Sequence, residues 1–258
     1  MTNEALEKTV FDLKETFCQT VLTPTNKAGW PFIIGFALVS VVLAMLSTFL
    51  GCVGLILTLW CVYFFRDPVR AVPQNKNFII SPADGRVTAV TENVPLPKEL
   101  QDSTTEPSDE DSIAGEIGEY TRISIFLSVF DVHVNRVPVS GKVDKVIYRP
   151  GQFLNAGSER ASIENERSSV LMKLEDGRQL AFVQIAGLVA RRIINELKEG
   201  DEVTSGERFG LIRFGSRMDI YLPADVAPCV AVGQRAIGGE TLLADLSKAG
   251  SPLEAQPV

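Results

Sequence analysis

The sequence predicts an α+β protein: a mainly β, sandwich-like domain preceded by an N-terminal helical hairpin. Three observations carry that expectation. No charged residue occurs between Pro31 and Phe65, a run that favours lipid over water. The residues after it fall into short apolar stretches separated by turn signals, as in "FIISPADGRVTAV", "RISIFLSV", "GKVDKVIY" and "SSVLMKLEDGRQLAFVQIAG". Beyond the hairpin one stretch, "GLVARRIINELKEG", reads as a helix closed by glycine.

Taken in order, residues 1–29 place Leu6, Val10, Leu13, Phe17 and Val21 at helical spacing. That pattern predicts an amphipathic helix lying on a membrane surface or on the domain. The apolar run of residues 30–65 would be about 52 Å long as one helix, against a hydrocarbon core of about 30 Å. A break is therefore expected, and "STFLGCVG" around Gly51 and Gly54 supplies a place for it. Two helices of about 16 residues, each about 24 Å long, make a hairpin that spans or dips into a bilayer. The run starts too late for a cleaved signal peptide and ends in "FFRDP". Trp30, Trp60 and Tyr63 suit the membrane interface, and Lys27 on one flank with Arg66 and Arg70 on the other put both ends on the cytoplasmic side. The expectation is a protein anchored in the cell membrane whose remaining residues, 66–258, form a cytoplasmic β-rich domain; a buried hairpin in a soluble core is the alternative. Within that domain "ADGRV" and "EDGRQ" are Asp-Gly turn signals. Residues 98–119, acidic and polar, are expected to be a mobile loop.

The formal charge of −7 over 258 residues argues against a nucleic-acid partner, because no basic stripe exists to neutralise phosphates. Cys18, Cys52, Cys61 and Cys229 show no paired spacing. Neither a disulfide framework nor a zinc or other metal site is expected, which suits a reducing compartment.

A few residues could carry chemistry. In "GLIRFGSRMDIYLP", residues 210–223, the pair Gly215-Ser216 interrupts what otherwise reads as a buried strand and is followed by Arg217. Spacing alone reads that pair as a β-bulge or a close backbone approach. His133, in "FLSVFDVHVNRVPVSGKV", is the single histidine of the chain. Imidazole chemistry near neutral pH must therefore use it, though it reads equally as a strand-edge residue. Asp84 opens an Asp-Gly turn, and Arg136 is either solvated or paired with a carboxylate or phosphate.

Together, "SPADGRV", "FLSVFDVHVNRVPVSGKV" and "GERFGLIRFGSRMDIYLP" resemble the three sequence blocks of phosphatidylserine decarboxylase proenzymes, particularly their short, membrane-associated bacterial and archaeal form. The resemblance runs from about Tyr63 to Gly238 and includes the preceding apolar double segment. It implies that the chain cuts itself between Gly215 and Ser216, giving a β chain of residues 1–215 and an α chain of residues 216–258. Ser216 would become a pyruvoyl group, the prosthetic group that forms a Schiff base with the serine amine of phosphatidylserine and serves as electron sink during loss of CO₂. Asp84 and His133 are implied for proton transfers, most simply with Asp84 orienting the His133 imidazole towards Ser216. Arg136 stands where longer members of the family carry a second histidine. An arginine cannot act as a base at ordinary pH, so the resemblance leaves open whether His133 serves both cleavage and decarboxylation, and assigns Arg136 to the lipid phosphate or carboxylate. Two other readings accompany this one. The substrate could be archaetidylserine, or the domain could be a biotinyl- or lipoyl-type carrier or membrane adaptor with Lys173 in "LMKLEDG" as its attachment point. The lipid tails and the oligomeric state are not legible.

Overall fold

A computed structural model describes residues 23–101, 120–158, 160–188, 192–213 and 215–247. The amphipathic helix expected within residues 1–22 and the acidic stretch 102–119 lie outside those residues. The chain divides into two compact units, Met1–Val69 and Arg70–Val258.

In the first unit, α1 (Trp30–Leu46) and α2 (Thr48–Phe64), each 17 residues long, form the helical hairpin. The break falls earlier than the glycines suggest: a single extended residue, Ser47 at φ −161° and ψ 134°, separates the helices. Gly51 and Gly54 lie inside α2, where they let the two backbones approach. A Cβ on Gly51 would come within 2.6 Å of the Ala44 Cβ, and one on Gly54 within 2.6 Å of the Ser40 Oγ. Ser40 and Thr58 meet across the pair, Oγ to Oγ1 at 3.0 Å, so small and hydroxylated residues face inward as in membrane helix pairs. Large apolar side chains face outward, among them Leu38, Met45, Phe49 and Ile56. Residues Lys27–Leu46 form a helical stretch long and apolar enough to cross a membrane. At the base of the hairpin Arg66 lies over the Tyr63 ring at 3.8 Å.

The second unit is mainly β. Its strands are β1 (Phe78–Ile80), β2 (Gly85–Val94), β3 (Tyr120–Leu127), β4 (Val134–Arg136), β5 (Gly141–Arg149), β6 (Arg167–Lys173), β7 (Gln179–Ala186), β8 (Ile193–Asn195), β9 (Glu202–Val203), β10 (Arg208–Ile212), β11 (Ser216–Pro223), β12 (Arg235–Ala236) and β13 (Leu242–Asp245), with one helical turn, α3 (Ala161–Glu164). Among the described residues they form an eight-stranded antiparallel sheet ordered β12-β2-β3-β11-β7-β6-β5-β9, a three-stranded sheet β4-β10-β8 and the pair β1-β13.

The helix expected at residues 187–200 is not there in its described part. Ile193–Asn195 is β8, paired with β10; the β-branched pair Ile193-Ile194 fits a pleated surface better than a helix.

The central strands are covered on both sides. Ile123, Ile125 and Leu127 of β3 and Met218, Ile220 and Leu222 of β11 pack with Phe209, Ile212, Val137 and Val139 on one face. On the other, Tyr221, Val183, Ile185 and Leu171 pack with Leu100 and Ala161. The head of the acidic stretch belongs to this second layer: Lys98–Leu100 is a 3-10 turn that buries Leu100 and pairs Glu99 with Arg167.

Candidate active site

The chain passes from β10 in the small sheet to β11 in the large one between Arg213 and Ser216. What reads in sequence as one interrupted strand is thus a corner at which the backbone changes sheets. Gly215 takes φ +71° there, a left-handed conformation that favours glycine. Its carbonyl oxygen lies so close to Gly187 that a Cβ on Gly187 would collide with it. Ser216 then opens β11, opposite Leu127 of β3 and Ala186 of β7. The residue is fully buried, and its Oγ has no hydrogen-bond partner among the described residues.

His133 reaches this corner from the edge of β4. The backbone N–H of Gly215 donates to His133 Nε2 at 3.2 Å, while Nδ1 lies 2.9 Å from the carbonyl oxygen of Asp131. A carbonyl can only accept, so Nδ1 carries the proton and Nε2 presents a lone pair towards the Gly215-Ser216 linkage. Asp131 is itself fixed. Its carboxylate accepts from the backbone N–H and Oγ of Ser128 and pairs with Arg235 at 2.8 Å.

Asp84 and Arg136 gather in a second cluster. Asp84 Oδ2 pairs with Arg70 at 2.7 Å, and its Oδ1 accepts from the Gly238 N–H at 2.8 Å. Burial raises its carboxyl above the usual range; Arg70 and the Gly238 amide counter that only in part, and the nearby Asp131 adds to the rise. The Arg136 guanidinium donates to the Gly206 carbonyl at 2.9 Å and its backbone N–H to Pro82 O. Gly239, at φ +86°, closes the cluster: a Cβ there would stand 2.9 Å from Arg136 Cδ and 3.3 Å from Arg70 Cβ.

Of the residues singled out in sequence, the structure therefore brings His133, Gly215 and Ser216 together and sets Asp84 beside Arg70. The Nδ1 bond that orients the imidazole goes to the main chain of Asp131 rather than to the Asp84 carboxylate. Sequence reasoning missed Asp131, Arg70, Gly187 and Gly238. The aspartate two residues before the lone histidine and the Gly-Gly pair in "AIGGET" were the available signals; the Gly187 contact had none.

The residues at the corner fit a prosthetic group made from the chain itself. An orphaned, buried hydroxyl follows a left-handed glycine, and the unprotonated imidazole nitrogen lies one residue away. Comparison with known proteins points the same way. A family model described as phosphatidylserine decarboxylase matches residues 57–244. The phosphatidylserine decarboxylase proenzyme of Rickettsia akari (strain Hartford) is 50% identical over 223 residues, covering 86% of this chain and 90% of that protein. Those of Cereibacter sphaeroides and Beijerinckia indica are 50% identical over 228 residues and 51% over 227, each covering 88% of this chain.

Proposed function

The chain belongs to the phosphatidylserine decarboxylase family, and from that premise we propose that Ser216 is its self-cleaving residue, with His133 as the base. The protein is a phosphatidylserine decarboxylase made as a proenzyme, a carboxy-lyase whose pyruvoyl group derives from a serine. Membership displaces the carrier reading of Lys173.

The observation that carries the assignment is the hydrogen bond from the Gly215 amide to His133 Nε2 beside the buried Ser216 hydroxyl. Ser216 Oγ attacks the carbonyl carbon of Gly215 while His133 Nε2, exchanging the Gly215 N–H for the hydroxyl, takes its proton, and an ester replaces the amide. Abstraction of the Ser216 α-proton then expels the Gly215 carboxylate and cuts the chain. Water completes the conversion of the former serine, and ammonia leaves. A left-handed glycine upstream eases the distortion that attack on a neighbouring carbonyl demands. The Asp131 carbonyl holds Nδ1–H, so the same imidazole nitrogen stays directed at the corner throughout.

Once formed, the pyruvoyl group supplies the electron sink for loss of CO₂. The protein's own contribution is to exclude water from the corner and to offer proton donors. Asp84, its carboxyl raised above its ordinary value by burial beside Arg70, is the candidate proton donor, and Arg70 and Arg136 are the cations of that cluster that would face a phosphate or carboxylate. The apolar hairpin, with Lys27 and Arg66 at its ends, supports attachment to the cell membrane from the cytoplasmic side, where the headgroup of the lipid lies. Recognition centred on that headgroup would take archaetidylserine equally well.

The test is the mass of the C-terminal fragment. Wild-type protein is expected as two polypeptides, the smaller beginning at the former Ser216 and lacking a free amine. Ser216→Ala and His133→Ala are expected as single uncut chains that still fold. Efficient cutting of the His133 variant would remove it as the base.

A further inference from the structure

Beside the corner lies a buried amide pair that the chemistry above does not use. Asn135 and Gln184 are both fully buried. Gln184 Nε2 donates to Asn135 Oδ1 at 2.9 Å and to the Ile194 carbonyl at 3.1 Å. Those two acceptors fix the orientation of both amides, because a flipped Gln184 would set its oxygen against two oxygens. Fixed that way, Asn135 Nδ2 has no partner among the described residues, and neither has Gln184 Oε1. A buried polar atom left unpaired is costly, and a native structure that keeps one needs a reason for it.

The register says what lies beside this pair. Asn135 stands two residues after His133 on the same edge of β4, so both side chains face the large sheet. Gln184 is opposite Met218, and Ala186 is opposite Ser216, which makes Gln184 the diagonal neighbour of Ser216 on the same face. Two side-chain hydrogen bonds thus bridge the sheets, His133 to Gly215 and Asn135 to Gln184, and the Ser216 side chain projects into the layer between them. Gly210 leaves room for the arrangement: a Cβ there would stand 3.0 Å from Gln184 Nε2.

We propose that Asn135 is a further site residue whose free Nδ2–H donates to the side-chain oxygen at position 216, and that Gln184 is the positioning residue that holds the amide in that sense. In the resting chain both atoms are still without a partner; the bond forms when the Ser216 hydroxyl turns to attack, and a donor on its lone pair then holds it while leaving its proton free for His133. After cutting, the oxygen at this position is a carbonyl that can only accept, and the same N–H suits it. A single amide donor therefore serves both forms of the residue. The inference rests on the assignment of Ser216 above.

The experiment follows cutting of the full-length chain over time, with thermal unfolding and phenylhydrazine labelling of the new carbonyl measured in parallel. Asn135→Leu removes the unpartnered donor together with one acceptor of Gln184 Nε2, which keeps its bond to the Ile194 carbonyl. It is expected to slow cutting on the order of tenfold or more without lowering the unfolding temperature. Asn135→Asp keeps the acceptor for Gln184 but lacks the free amide donor, and is expected to slow cutting likewise; it decides the matter if the leucine variant does not fold. Gln184→Met is expected to show a smaller slowing, and the fraction of each variant that cuts should react more slowly with phenylhydrazine. Cutting at the wild-type rate in both Asn135 variants overturns the proposal, and so does slow cutting that merely tracks a lower unfolding temperature. Failure of the wild-type chain to cut would instead overturn the assignment of Ser216.

Discussion

Ser216 and Arg217 are consecutive on β11, face opposite sides of one sheet, and meet opposite treatment of polar atoms. On the Ser216 side a hydroxyl, an amide nitrogen and an amide oxygen are buried without partners. On the Arg217 side the charged pair of the strand itself, Arg217 and Asp219, is engaged. The guanidinium holds Asp219 at 2.6 and 3.0 Å, the Ser124 Oγ at 2.8 Å and the Ser158 carbonyl at 3.3 Å, while Ser162 donates to Asp219 at 3.2 Å. A satisfied buried network rigidifies, whereas an unsatisfied one is tolerated where chemistry needs it. The difference teaches that the strand is anchored from one face so that reactive atoms can be left exposed to each other on the other.

That division of labour can be broken from either side. The largest effect is expected from Asp219→Ala, which strands a buried guanidinium and should cost about 3–5 kcal/mol of stability, read by denaturant unfolding. Next comes Gly187→Ala on the reactive face. Its new methyl group displaces the Gly215 carbonyl, and cutting should slow on the order of tenfold with about 1–3 kcal/mol of lost stability; gel analysis over time reads the first and unfolding the second. The smallest effect tests the anchored face alone. Burial pushes the Glu99 carboxyl up, but hydrogen bonds from Arg167, its own backbone amide and Ser169 outweigh this and hold its pKa at about 2, below the ordinary 4.5. A carboxylate depressed in the folded state stabilises it above the ordinary value, and that stability drains away as pH falls towards about 2. Glu99→Gln should flatten this acid-side loss, seen in unfolding curves between about pH 5 and pH 2, with cutting unchanged at neutral pH.

How much of this was legible in the sequence varies with the reach of the interaction. The length of the hairpin followed from a charge-free run, but not the place of its break, because glycine signals equally a turn or a close helix contact and here gives the contact. "EDGRQ" is a true hairpin turn between β6 and β7 with Gly177 at φ +90°. "ADGRV" is not: Gly85 enters β2 where a Cβ would strike the Phe126 carbonyl, so the same dipeptide serves a backbone crossing. The oddity of Gly215-Ser216 was visible as a break, yet its meaning as a change of sheet required knowing where β4 and β10 pair. His133 was conspicuous by being alone. Its orienting partner was not, since a main-chain carbonyl leaves no mark on residue type, and Asn135 and Gln184 look like any polar residues until both prove buried.

β11 is hydrogen-bonded along its length to β3 on one side and along most of it to β7 on the other. A cut at its first residue, as proposed, would therefore free nothing: the C-terminal fragment would be a stave wedged mid-sheet, and escape would require unzipping both flanking ladders. The same placement would set a sequence of events, since the proposed scissile corner does not exist until strands from both halves have docked. Under that proposal maturation is a built-in proofreading step, in which only a chain that has already folded can become two.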